Sequence, residues 1–271
     1  MVKRNENPQE LIQRLQKAKE RLTRKVAKMQ HASERKDTYI SSMTHELRTP
    51  LNAIIGYSEM LQEEVTESGN LDWSEDVRKI HVAGVHLLGV VNNILDLSKI
   101  EAGKTSIFVE PFDINVMLDD IKDIASTLME KKSNTFVMDV PAKLGTMVSD
   151  LTKVRQSLLN FLSNAAKFTE NGTITLCCRR SQDKEWVHFD VKDNGIGMTP
   201  GQIKLLFRPF QQAEASTSKK FGGTGLGLTI TKKFCEILGG GVSVQSESGK
   251  GSTFAIKLPA ETQGTDTAQA S

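Results

Sequence analysis

Apolar residues recur at three and four positions through the first hundred residues and at two positions through much of the rest, so the chain divides by periodicity alone. From Pro8 to Glu64 glycine is almost absent, and Leu11, Leu15, Ala18, Leu22 and Met29 keep heptad spacing. Charged Arg14, Lys17, Glu20 and Arg21 stand between them, which predicts a helix that pairs with a partner helix in a parallel dimer. A polar break at Thr66 to Asn70, containing Gly69, ends this helix. Asp72 is placed to cap the next one, with Glu75 three residues on. There Val77, Ile80, Gly84, Leu87, Val91 and Ile94 predict a second amphipathic helix to Ile100, stopped at Gly103. Two such helices bury little alone, but two copies of the hairpin make a four-helix bundle.

Beyond Gly103 the pattern alternates. Strands are predicted at Thr135 to Val140, Thr173 to Arg180, Val187 to Lys192, Gly241 to Ser246 and Thr253 to Leu258. Helices are predicted at Ile114 to Met129, Leu151 to Ala166 and Leu226 to Leu238. The expected fold class is therefore multidomain, α followed by α+β: a helical hairpin, then an α/β sandwich. Residues 1–36 read as a coiled-coil helix, 37–104 as the hairpin domain, 105–260 as the sandwich and 261–271 as a disordered tail or linker.

Composition narrows this little. With 38% hydrophobic and 25% charged residues the chain suits globular folding and excludes collagenous or wholly disordered classes. A net charge of +2 points to no polyanionic partner, so nucleic acid is not expected. No run of about 18 apolar residues and no leader pattern is present, so this segment is expected to make no membrane contact and to lie in the cytoplasm. Cys177, Cys178 and Cys235 have no metal or disulfide spacing and read as reduced thiols. His31, His81, His86 and His188 likewise lack a ligand partner at metal spacing.

Candidate chemistry begins on the first helix. At about 100° per residue, Met43, Leu47, Leu51, Ile54 and Leu61 share one stripe, expected to be buried. His45 and Thr49 project from the opposite face. A solvent-facing imidazole, largely neutral near pH 7, is a usable nucleophile. Glu46 can hold the Nδ1 proton, and Pro50 removes an amide donor, which predicts a bend there. In the second half Asn160 and Asn164 share a helix face with Lys167, a set able to ligate Mg²⁺ and steady phosphates. Asp193-Asn194-Gly195-Ile196-Gly197-Met198 follows a strand, placing a carboxylate for an adenine amino group and glycines for close approach. Phe207-Arg208-Pro209-Phe210 leads into a polar stretch, Gln211 to Lys220, that reads as a lid. Gly222-Gly223-Thr224-Gly225-Leu226-Gly227-Leu228 then opens a helix whose first amides suit phosphate oxygens. No Gly-Lys-Ser/Thr follows, so this is not a Walker loop.

The run Ser42 to Asn52, containing Thr44-His45-Glu46-Leu47-Arg48-Thr49-Pro50, closely resembles the H-box of sensor histidine kinases. The four later motifs resemble their N, G1, F and G2 boxes, in the same order. The resemblance extends from Met43 to Leu258, and the parent is expected to be a hybrid kinase. It implies a dimeric four-helix bundle followed by an ATP-binding sandwich of the gyrase, chaperone and histidine kinase type. It implies His45 as phosphoacceptor, Glu46 as general base and Thr49 as the residue that positions water for dephosphorylating the partner. It further implies ATP and Mg²⁺ held by Asn160, Asn164, Lys167, Phe168, Asp193, Gly195, Gly197 and the segment Gly223, Thr224, Gly225, Leu226 and Gly227, with Thr253 near the adenine and Asn160 and Asn164 as metal ligands. The implied partners are a second copy of the chain and a response regulator receiver domain. One departure is Gln212, where many relatives carry arginine; Lys219 or Lys220 would then supply the cation.

Two other readings stay open at this stage. A gyrase-type ATP hydrolase needs a glutamate base where this chain has Asn160, which cannot take a proton from water. A dimeric scaffold that binds a regulator without turnover is disfavoured by the intact nucleotide motifs. The hinge between the halves is expected at Glu101 to Phe112, with Gly103 and Pro111.

Overall fold

The helical and the alternating segments separate into two compact units, residues 1–105 and 106–271. A computed structural model describes residues 16, 19, 23, 44, 47–63, 71–209 and 225–262, with residues 71–74 and 76 as backbone only.

In the first unit, α1 spans residues 47–63 and α2 spans Leu71–Glu101. They form the hairpin that the periodicity predicts, and small and polar residues set their approach. A Cβ on Gly84 would come within 2.9 Å of Ile55 Cγ1 across the interface. Arg48 Nη2 donates to Asn92 Oδ1 at 2.7 Å, and buried Ser58 lies 3.4 Å from His81 Nδ1. Helix α1 continues through Pro50 without interruption. Helix α2 is described from Leu71, and the side chain of the expected cap, Asp72, lies outside the described ones. The far end closes as a Schellman turn: Gly103 takes φ +66°, its amide reaches the Ile100 carbonyl, and the Lys104 amide reaches Lys99.

The expected buried stripe needs correction. Leu51 is 4% exposed, but Leu47, Ile54 and Leu61 remain 45–48% exposed. One antiparallel neighbour covers only part of a helix surface, so a single hairpin leaves the rest of the stripe open. Tyr57, Met60, Val85 and Leu87 are exposed beside it. Of the predicted coiled coil, Leu11, Leu15, Ala18, Leu22 and Met29 lie outside the described residues, while Gln16, Lys19 and Thr23 are helical and exposed. Segment Val77–Glu101 is long and apolar enough, by length and composition alone, to cross a membrane. The expectation of no such stretch counted uninterrupted apolar residues, and this helix carries Lys79, His81, Asn92 and Asp96 among its apolar ones.

The second unit is a two-layer sandwich. Strands β1 (Glu110–Asp113) and β3 (Thr146–Ser149) pair antiparallel in a small sheet. The main sheet contains β2 (Thr135–Asp139), β4 (Thr173–Arg180), β5 (Trp186–Asp193), β6 (Gly241–Glu247) and β7 (Gly251–Pro259), ordered β2-β4-β5-β7-β6. Among the described strands of this sheet, β2 and β4 pair parallel and the other neighbours antiparallel. Helices α3 (Ile114–Glu130), α4 (Leu151–Phe168) and α6 (Gly227–Ile237) contribute to the core together with one sheet face, while α5 (Pro200–Ile203) is a single capped turn. Strand alternation turns Ile174, Leu176, Val191, Phe254 and Ile256 into that core. Phe161 of α4 meets Phe254 of β7 with ring centroids 5.1 Å apart. The latter half of the expected hinge is not loop, since Glu110 to Phe112 are hydrogen-bonded strand.

Asp113 caps α3 by accepting from the amides of Asn115 and Val116, and Asp150 caps α4 by accepting from Lys153. Asp150 is buried, and its second oxygen takes the Phe108 amide at 3.0 Å and the Lys153 ammonium at 2.6 Å. These bonds fix where α4 starts and hence where its final turns lie.

Candidate functional site

The second half of α4 carries Asn160, Asn164, Lys167 and Phe168; two other segments meet them and a third meets α6. The first is the start of α6. Gly225 adopts φ +69°, a backbone that side chains resist, and Leu226 then leads into the helix without any side-chain cap. A Cβ on Gly227 would lie 2.4 Å from Asn160 Oδ1. Asn160 Nδ2 donates to Thr231 Oγ1, one turn further along α6, at 2.9 Å. The N-terminus of α6 is therefore held against the middle of α4 by a carboxamide on one side and a missing side chain on the other.

The second segment is the turn after β5. Asp193 Oδ1 accepts from the Gly195 amide at 2.9 Å and from the Ser252 amide at 3.3 Å. No bond among the described residues reaches Oδ2, which remains for an incoming donor. Burial pushes the Asp193 pKa above the ordinary carboxylate value, against the opposing pull of those two amides. The turn is fastened to α4, because the Ile196 amide donates to the Phe168 carbonyl at 3.2 Å. Gly195 admits this contact, since a Cβ there would lie 2.3 Å from the same carbonyl. Gly197, at φ +61°, is pressed against the Glu247 carbonyl.

The third is the segment at Phe207. Thr229 Oγ1 of α6 donates to the Phe207 carbonyl at 3.2 Å, and Lys232 Nζ lies 5.8 Å from the ring centroid. Phe210, the lid Gln211 to Lys220 with Gln212, Lys219 and Lys220, and Gly223 and Thr224 lie outside the described residues, as do His45 and Glu46. Thr49 is described and is exposed on α1, on the solvent face that its angle predicts.

The two asparagines do not have equal surroundings. Asn160 is engaged at both ends, because its Oδ1 also accepts from Asn164 Nδ2 at 3.4 Å. Asn164 keeps its oxygen free of protein donors among the described residues. Lys167 is half-buried with Nζ 5.0 Å from the Phe168 ring centroid. Burial, then the nearby charge of Lys132, lowers its pKa. The Lys132 ammonium donates to the Lys167 carbonyl at the helix end.

This donor set suits a hard cation that keeps most of its ligands from water and phosphate. Mg²⁺ asks a protein for one or two oxygens, and the Asn164 carboxamide supplies one, bonded to the Asn160 that abuts the start of α6. Among the described residues no three His, Cys, Asp or Glu side chains gather as a separate metal site.

The resemblance puts Thr253 near the adenine. Thr253 pairs with Lys192, however, and alternation turns its side chain to the sheet face opposite Asp193. Ser252, which pairs with Asp193, is the residue on the Asp193 side. Sequence reasoning also missed Thr231 and Ser252, because both act through partners far away in the chain. Thr231 could have been found from its one-turn spacing to Gly227.

Residues 35–103 match the His Kinase A (phospho-acceptor) domain, and residues 149–262 match the histidine kinase-, DNA gyrase B- and HSP90-like ATPase. The chain is 37% identical over 236 residues to hybrid signal transduction histidine kinase B of Dictyostelium discoideum, a match covering 86% of this chain and 12% of that protein. It is 38% identical over 243 residues to the circadian input-output histidine kinase CikA of Synechococcus elongatus, covering 88% and 32% respectively. The chain spans less than half the length of these curated relatives. Among solved structures, full-length ShkA in complex with AMPPNP aligns with TM-score 0.68 and 31% identity, covering 84% of this chain and 46% of that one. The Acinetobacter baumannii histidine kinase AdeS, at 20% identity and TM-score 0.57, shares the fold.

Proposed function

The chain belongs to the histidine kinase family, and on that footing we propose that it transfers the γ-phosphate of ATP to its own His45 and then to an aspartate of a response regulator receiver domain. The observation that carries this reading is the junction of α4, the β5 turn and α6, where Asn160 contacts Gly227 and Phe168 contacts Gly195. It supports a cradle with an adenine end at Asp193 and a phosphate end at the start of α6.

At the adenine end Asp193 Oδ2 accepts the exocyclic amino group, while Gly195 and Gly197 let the turn fold tightly against α4 and β6. At the phosphate end Lys167 and the first amides of α6 offset the triphosphate charge. Asn164 Oδ1 would hold Mg²⁺, with Asn160 orienting it; the ion supplies neutralisation of charge on the phosphate oxygens. His45 Nε2 attacks the γ-phosphorus in line as the bond to the β-phosphate oxygen breaks and ADP leaves. Glu46 takes the Nδ1 proton, so the product has a neutral imidazole ring bearing the anionic phosphoryl group. Thr49, exposed one turn further on, positions water for the reverse task of dephosphorylating the regulator.

The exposed apolar residues of α1 and α2, Leu47, Ile54, Leu61, Val85 and Leu87 among them, support a homodimer in which two hairpins complete one bundle. We assign residues 1–36 to a signalling coiled coil, 37–104 to dimerisation and phosphotransfer, 105–262 to catalysis and 263–271 to a tail, all in the cytoplasm. The sequence pattern ends the sandwich at 260, but Glu261 bridges Val148 and buried Thr262 bonds Ser149. Incubation with γ-labelled ATP and Mg²⁺ tests the proposal. Acid-labile, base-stable label on the protein is the expected result. Release of inorganic phosphate without labelled protein would point to a hydrolase and overturn it.

A further inference from the structure

The turn from Thr169 to Gly172 carries the chain out of α4 into β4, and it lies between two asparagines. On one side is Asn194, in the turn that Asp193 opens. Its Oδ1 accepts from the Thr173 amide at 2.7 Å, and a Cβ on Gly172 would lie 2.3 Å from the same oxygen. The same two turns meet again where the Ile196 amide donates to the Phe168 carbonyl.

On the other side is Asn134, in the connection between α3 and β2. A four-residue turn is ordinarily closed by its fourth amide donating to its first carbonyl. Here both groups bond Asn134 instead: its Nδ2 donates to the Thr169 carbonyl at 3.0 Å, and its Oδ1 accepts from the Gly172 amide at 3.0 Å. Further bonds tie the two connections together. The Asn171 amide donates to the Lys132 carbonyl at 3.0 Å, the Thr135 amide to the Gly172 carbonyl at 2.7 Å, and the Lys132 ammonium to the Lys167 carbonyl. Each connection holds a left-handed residue that is not glycine, Ser133 at φ +52° and Asn171 at φ +51°. Such backbone persists only where surrounding bonds impose it.

We propose that Asn134 is a positioning residue for nucleotide binding: by bridging the Thr169 to Gly172 turn it backs the Asp193 turn and holds it against the end of α4. The role rests on the ATP reading above and adds to it a residue that touches no nucleotide. Without the bridge the turn is in place for only a fraction of the time, and apparent affinity falls by that fraction. The transfer step itself is untouched, so KM for ATP rises while kcat stays.

The test compares the full wild-type chain with Asn134→Ala and Asn134→Ser, by calorimetry with ATP and by autophosphorylation at varied ATP. The serine hydroxyl is too short to span both groups, and this milder variant decides the matter if the alanine one does not fold. Arg179→Ala is the control, because Arg179 bonds Asp139 at the far end of the same β2–β4 pairing. Both Asn134 variants are expected to bind ATP about fivefold more weakly, the worth of one hydrogen bond, with KM raised by the same factor and kcat unchanged. Arg179→Ala should keep the wild-type KM. A merely structural role would lower the folded fraction, and with it kcat, at unchanged KM; that result would overturn the proposal. So would an equal rise in KM for Arg179→Ala. Absence of label on a wild type that binds ATP would refute the phosphotransfer reading alone, and the calorimetric comparison would still decide the role of Asn134. Failure of the wild type to bind ATP would refute the ATP reading and this role with it.

Discussion

Gly227 lies flat against the carboxamide of Asn160, with space for a hydrogen and none for a methyl group. That contact joins the helix carrying the asparagines to the helix whose first amides are proposed to face the phosphates. Replacing Gly227 by alanine forces Asn160 to move, and Asn160 in turn holds Thr231 and Asn164. Overpacking of this kind costs about 1–3 kcal/mol, partly offset by about 1 kcal/mol of helix propensity. The Gly227→Ala chain is therefore expected to fold but to bind ATP at least about tenfold more weakly, since the displaced groups are the binding ones. Paired calorimetry and thermal unfolding check this, and unchanged affinity would contradict it.

Asp193 sets a pH dependence. Burial raises its folded pKa above 3.8, so the stability its protonation contributes is present below 3.8 and lost as pH rises through the raised folded value. At neutral pH the ionised carboxylate is thus a cost to the fold, kept for binding. ATP affinity should decline as pH is lowered to the raised value, because a protonated Asp193 no longer offers two acceptors. Asp193→Asn should remove this pH dependence and weaken ATP binding by about tenfold or more, while leaving the unfolding temperature unchanged or higher. A variant with lower stability and wild-type affinity would refute the account.

Asp150 behaves in the opposite sense. Burial pushes its pKa up, but the Lys153 ammonium and the amides of Phe108 and Lys153 together outweigh that and hold it below 3.8. A depressed folded value contributes stability above 3.8 that is lost as pH falls through the folded pKa. Asp150→Asn is expected to destabilise the sandwich at neutral pH by about 1–3 kcal/mol, through Lys153 left without its anion. In urea unfolding the gap between wild type and variant should close in acid. A gap that persists undiminished would show that charge is not its source.

The three cysteines should be inert. All are free and buried, and burial raises Cys177 and pushes Cys178 and Cys235 up to about 12. A thiol reagent at mildly alkaline pH should label none of them in the folded chain and all three in urea. Rapid labelling of the native protein would contradict the packing of β4 and α6.

Strands β4 and β5 were legible because eight-residue alternation is long enough to see, and Thr173 to Arg180 was placed to the residue. Strands β1 and β3 have four residues each, with Pro111 inside the first, and neither length nor composition distinguishes them from loop. The resemblance names Thr253, but one residue of register reverses every side chain, and it is Ser252 that pairs with Asp193. The stripe through Leu47, Ile54 and Leu61 was correct as an angular pattern, but a pattern does not say which surface covers it. Motif order singled out Asn160, Asn164 and Asp193, whereas the bonds of Thr231 and Ser252 join segments that only the fold brings together.

The most direct test is to locate the phosphate. After incubation with ATP and Mg²⁺, mass spectrometry of the intact chain and its peptides should find one acid-labile phosphate, on His45, and none in the His45→Gln chain, which should still bind ATP. Equal phosphorylation of the His45→Gln chain would contradict the account.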